Sequence, residues 1–142
     1  MNRLKKIKAL KEQIELFQLE NRGIIARYTM PELCSIYNGI GPDAFPEWLR
    51  GVITSLNPAL EPAAFIHDVE WHESDGSKIS FQASNARLER NGRRIAAGQY
   101  HRFDPRRYLL AHQAARFARL CTMFGWTAWC APCSCAVCRK KN

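Results

Sequence analysis

Pro62-Ala-Ala-Phe65-Ile-His67-Asp68-Val-Glu-Trp71-His72 is the stretch on which the reading of this chain turns. It opens on proline, whose fixed φ suits the first turn of a helix, and continues in good helix formers until Asp75-Gly76. Neighbours on a helix project about 100° apart, so His67 and Asp68 serve two adjoining sites from one element. A histidine titrates near neutrality and suits general-base work, whereas a carboxylate suits a hard cation.

Downstream, Asp75-Gly76 reads as a turn, and a second helix is expected from about Ser77 to Asn91, with Asn91-Gly92 as its stop. Phe81, Asn85 and Leu88 share one face of that helix. Laid antiparallel to the first, it brings the Asn85 side-chain oxygen to the far ring nitrogen of His67. That contact fixes the tautomer and leaves the other nitrogen free to accept a proton. Asp104-Pro105 then caps a third helix whose stripe is Leu110, Ala114, Phe117, Cys121 and Phe124, ended by Gly125. The expected fold class is all-α, mostly helical, built around an antiparallel helix pair.

Upstream, Gly39, Gly41, Pro42, Pro46, Gly51, Pro58 and Pro62 break regular structure repeatedly, which marks a long loop with short turns or a brief helix. Within Tyr37-Asn38-Gly39-Ile40-Gly41 the alternate glycines let the backbone turn carbonyl oxygens inward without side-chain clashes. Calcium is satisfied by such carbonyls together with a carboxylate and water. Residues 3–20 place Ile7, Leu10, Ile14 and Phe17 on one stripe beneath a basic first half. Such a helix either lies on a membrane or partner or packs on its own domain with a solvated basic face, and the second reading is preferred.

With 142 residues and 46% hydrophobic content, the chain has material for one modest core. Its net charge of +8 favours acidic partners, either nucleic acid or an anionic membrane face. No helix-turn-helix, zinc-finger or ribonucleoprotein motif accompanies the basic residues Arg93, Arg94, Arg102, Arg106 and Arg107, so nucleic acid is the minor option. Those arginines read either as a solvated face or as contacts for lipid phosphates. No apolar run is long enough to span a bilayer, and the N-terminus lacks a signal-peptide core, so a cytoplasmic site of synthesis is expected. Of six cysteines only Cys34 and Cys121 fall in the body, which leaves disulfides no part in holding the fold.

Taken together, the loop Tyr37-x-Gly39-x-Gly41, the pair His67-Asp68 with an aromatic at Trp71, and Asn85 within Ser84-Asn85-Ala-Arg-Leu88 resemble the phospholipase A2 superfamily. The pattern is most similar to small phage and prophage proteins with an Asn-Gly-x-Gly-Pro loop and a later His-Asp helix. The resemblance implies calcium-dependent hydrolysis of the phospholipid sn-2 ester. His67 would be the base, Asn85 its orienter and Trp71 part of the same network. Tyr37, Gly39, Gly41 and Asp68 would be the calcium ligands. Asparagine stands at the orienting position where the family has aspartate, and Trp71 stands for its tyrosine. The implied partner is a phospholipid membrane surface, reached in a virion-associated or membrane-peripheral state, with a phage or host protein as a further candidate.

The expected organisation is a basic amphipathic helix over 1–29, the phospholipase A2-like domain over 30–125, and a Cys-rich basic tail over 126–142. In that tail Cys130, Cys133, Cys135 and Cys138 are spaced to converge on zinc. A reduced, flexible tail and a site of acylation are the other readings. The competing function is a catalytically silent phospholipase A2-like binding or virion structural protein, gripping a membrane or partner through the basic helix and the tail.

Overall fold

The computed structural model describes residues 2–37 and 58–130, and among these every regular element is helical. The chain runs through α1 (Arg3–Leu16), a 3-10 helix (Arg22–Arg27), α2 (Met30–Ile36) and a 3-10 turn (Pro58–Leu60). It continues through α3 (Glu61–His72), α4 (Lys78–Gln99), α5 (Pro105–Phe124) and α6 (Trp126–Cys130). The loop residues Gly39 and Gly41, and Cys133, Cys135 and Cys138 of the tail, lie outside the described residues.

α3 is the central element. Pro62 sits in its first turn, and Ala63, Ala64, Phe65, Ile66, His67, Val69 and Glu70 are all buried, so the helix is enclosed on nearly every side. It packs against α1, α2 and α4. The turn between α3 and α4 is built as its residues dictate: Gly76 takes φ +75°, and the Asp75 carboxylate accepts from the Ser77 amide at 2.9 Å and from the Ser80 hydroxyl at 3.0 Å. The pairs His67 with Asn85 and Trp71 with Phe81 run in opposite senses along the two helices, which makes them antiparallel.

α4 does not stop at Asn91-Gly92. It continues two turns further to Gln99, and both residues are used in its interior. A β-carbon on Gly92 would lie 2.2 Å from the Ala114 Cβ, so glycine is what lets α4 and α5 approach there. The Asn91 carboxamide accepts from the Glu20 amide at 2.7 Å and donates to the Glu20 carbonyl at 3.2 Å, pinning the N-terminal segment to α4. An Asn-Gly pair that looks like a helix stop locally is here a tertiary contact.

α5 starts as expected, with the Asp104 carboxylate capping the Arg106 amide at 2.9 Å, and it buries Leu110, Ala114, Phe117 and Cys121. Phe124 departs from the expected stripe and is exposed. Space at that end is taken by the Trp71 indole, whose Cη2 would meet a β-carbon on Gly125 at 2.3 Å. The chain then turns into α6, where Trp129 is buried, donating from Nε1 to the Ser77 carbonyl at 2.9 Å. Residues 126–130 are therefore helical, with Trp129 packed inward, where a tail was expected to begin.

α1 is shorter than the stripe suggested, ending at Leu16 where Gln18 takes φ +51°. Ile7, Leu10 and Ile14 are buried in the same core as α3 and α5, and Lys6 Nζ pairs with Glu61 Oε1 at 3.0 Å. The N-terminal helix thus packs on its own domain. α2 was not legible in the sequence; it is held by the Thr29 amide donating to Glu32 Oε2 at 2.7 Å.

Candidate functional site

His67 and Asn85 meet between α3 and α4, with His67 Nε2 and Asn85 Oδ1 2.9 Å apart. A carboxamide oxygen only accepts, so this pairing puts the proton on Nε2 and leaves Nδ1 with its lone pair. Nδ1 takes no part in the contact with Asn85. The imidazole packs against Trp71 at 5.1 Å and Phe117 at 6.4 Å between ring centroids. With the residue 3% exposed, burial pushes the imidazole below its ordinary pKa, and the Asn85 contact and the Glu70 charge oppose that. The ring is accordingly neutral at physiological pH, the state a general base needs.

The Asn85 Nδ2, on the other side of the carboxamide, is buried without a hydrogen-bond partner among the described residues. The side chain's one hydrogen bond among the described residues is the Oδ1 contact to the histidine.

Asp68, one residue on, points away from that contact. It keeps some contact with solvent, yet its surroundings are dense enough that desolvation raises its carboxyl well above the ordinary value. No cation is paired with it among the described residues. Its charge bears on two neighbours, adding to the burial that already raises the Tyr37 phenol and the Cys121 thiol. Asp68 therefore lies near both Tyr37 and Cys121. A desolvated carboxylate without a counter-charge fits an oxygen-seeking cation better than it fits a packed core.

Tyr37 brings the first residue of the glycine loop to this place. Its ring lies edge-on to Phe65 at 5.1 Å, and Lys6 Nζ stands 5.6 Å over it. Its backbone carbonyl accepts from the Arg3 guanidinium at 2.5 Å. A positive group thus already occupies a carbonyl of the proposed calcium set. Among the described residues no three His, Cys, Asp or Glu side chains gather as metal ligands.

A cluster that the sequence reading missed fixes the helix pair in register. Glu70, three residues after His67, accepts from the Ser84 hydroxyl and the Asn21 amide group, each at 2.6 Å, and pairs with Arg87. Ser84 and Arg87 flank Asn85, so each bond to Glu70 also sets where the Asn85 side chain sits. The signal available in the sequence was an acid on the inner face of α3 facing an arginine on α4. A polar cavity of about 260 Å³ opens beside this cluster, lined by Glu70, Glu73, Ser80, Ser84, Arg87 and Trp129. His67 does not line it.

Of the remaining residues singled out, Arg93 and Arg94 are engaged, Arg93 with Glu89 at 2.7 Å and Arg94 with the Gln18 carbonyl at 2.9 Å. Cys130 is exposed and its thiol donates to the Trp126 carbonyl at 3.0 Å. No helix among the described residues is long and apolar enough to cross a membrane. Comparison with protein-family models, with curated proteins and with solved structures finds no match.

Proposed function

We propose that this protein is a calcium-dependent esterase of the phospholipase A2 type, acting on the sn-2 ester of membrane phospholipids. The observation that carries the proposal is the buried His67–Asn85 contact at 2.9 Å beside an Asp68 carboxyl that has no counter-charge among the described residues. His67 Nδ1 takes a proton from water as that water attacks the ester carbonyl, and the protonated ring returns it to the leaving alkoxide. Asn85 holds the ring through Nε2, and Trp71 and Phe117 keep it desolvated and in place. Calcium would be held by Asp68 with backbone carbonyls of Tyr37, Gly39 and Gly41, and would supply Lewis-acid stabilisation of the oxyanion and a contact for the phosphate. Release of lysophospholipid and fatty acid is the assay, run with calcium, with chelator and with His67→Gln. Equal rates in all three remove the enzyme from consideration.

A catalytically silent binding protein is the second reading, favoured by the neutral orienter Asn85 and by the Arg3 guanidinium on the Tyr37 carbonyl. It predicts no calcium affinity and no hydrolysis, with zinc held through Cys130, Cys133, Cys135 and Cys138. Calcium titration and metal content separate the two.

A further inference from the structure

The C-terminal part of this chain carries cations without acids. Residues 105–142 hold seven of the 21 Lys and Arg and none of the 13 Asp and Glu, so they carry +7 of the net +8. Within the described structure that charge falls on α5. While Leu110, Ala114, Phe117 and Cys121 face inward, Leu109, His112, Arg116, Arg119 and Met123 follow one another at intervals of three and four residues on the outward side. Every member of this second stripe is exposed, with Leu109 at 58% and Met123 at 66%.

Neither Arg116 nor Arg119 has an ion-pair partner among the described residues, in contrast to Arg93 with Glu89 on the neighbouring helix. The acid nearest the start of α5, Asp104, is spent on capping and on its ion pair with Arg106 at 2.7 Å. Just before α5, Phe103 is 75% exposed, with the Arg102 guanidinium 4.7 Å over its ring. A helix of 20 residues is about 30 Å long, so the face is a strip with apolar side chains at both ends and cations between.

We infer that the outward face of α5, from Leu109 to Met123, together with Phe103 just before the helix, is a docking surface for an anionic lipid bilayer. Cations on a helix face reach lipid phosphates while the apolar side chains beside them enter the headgroup layer. A second copy of the chain fits poorly, because self-pairing of this face sets Arg116 and Arg119 against their own equivalents. Nucleic acid would use the cations and leave Leu109, Met123 and Phe103 without a role. The inner side of the same helix supplies Phe117 to the His67 ring, so docking would seat the proposed catalytic wall against the membrane. In that respect the inference rests on the lipid reading of the site.

The test is binding of the full chain to mixed phosphatidylglycerol and phosphatidylcholine vesicles in chelator, where hydrolysis plays no part. Each arginine at an anionic surface contributes about fivefold, so Arg116→Gln with Arg119→Gln is expected to weaken binding about 30-fold. Leu109→Ser with Met123→Ser should weaken it as well, whereas Arg27→Gln with Arg93→Gln, which removes the same charge elsewhere, should change it little. All of these positions are exposed, and circular dichroism checks that each variant is folded. Equal losses from the α5 pair and the control pair, or no loss from either, overturn the inference. So does an RNA oligonucleotide that binds more tightly than the vesicles through the same arginines. Vesicle binding lost with the α5 variants but without hydrolysis in the wild type removes the esterase reading and keeps the docking face. Hydrolysis indifferent to these variants does the reverse.

Discussion

Two ionisable groups on adjacent residues of α3 pull stability in opposite directions with pH. The native His67 ring has a depressed pKa, chiefly from burial, whereas the unfolded ring titrates at about 6.5. As pH falls through that value the unfolded chain gains a proton that the native ring refuses, so His67 lowers stability from about pH 6.5 downward until the native ring protonates too. Asp68 has a raised native pKa and contributes the other sign, losing stability as pH rises through that value. Denaturant melts on either side of pH 6.5 should show a His67-dependent fall on the acid side that His67→Gln reduces. The proposed calcium site is tested at the same scale. Arg3 places a cation on the Tyr37 carbonyl, so Arg3→Gln should tighten calcium binding by several-fold, measured by calorimetric titration, if that carbonyl is a ligand. Unchanged or weaker affinity would assign Arg3 a purely structural role.

At the scale of elements, the α4–α5 contact depends on Gly92. Alanine there regains about 1 kcal/mol of helix propensity, but its Cβ would sit 2.2 Å from the Ala114 Cβ, and neither atom can rotate away. Overpacking of this kind costs about 1–3 kcal/mol, and two backbone-fixed atoms fall at the upper end, so Gly92→Ala should lose about 2 kcal/mol net in urea melts. Ala114→Gly in the same chain should restore most of it, since the clash is between those two atoms. Gly92 also shows why part of the fold was legible and part was not. Proline at the start of α3, Asp75-Gly76 and Asp104-Pro105 act locally, through φ or a nearby cap, and the structure uses each as it reads. Asn91-Gly92 has the same local look, yet its carboxamide serves a backbone 71 residues away and its missing side chain serves another helix. The His67–Asn85 pairing was legible because two helices joined by a tight turn leave few registers. The Glu70 cluster was not, since one of its arms comes from Asn21, in the left-handed conformation before a 3-10 helix that carries no periodic signal. Phe124 was misassigned because periodicity cannot tell that Trp71 fills the end of the stripe.

Over the whole molecule, the basic N-terminal helix is part of the core. Ile7, Leu10, Ile14, Leu19, Ile24 and Ile25 are each buried in the cluster that holds Phe65, Ile95 and Leu110. Polar ties follow the same route: Lys6 to Glu61, Glu20 to Arg90 at 2.9 Å, and Asn21 to Glu70. Burying one such aliphatic side chain contributes about 1.5–3 kcal/mol, so these six supply about 9–18 kcal/mol before entropy is charged against them. Domains of this size have a net stability of only about 5–15 kcal/mol. Removal of residues 1–29 would also strip Asn21 from Glu70 and leave that buried carboxylate short of a donor. The truncated chain is therefore expected not to fold to a fixed structure, and the full chain should unfold in a single calorimetric transition whose van't Hoff and calorimetric enthalpies agree. Two separate transitions, or a truncated chain that keeps dispersed side-chain resonances, would make the N-terminal segment an appendage and would free its basic face for a partner.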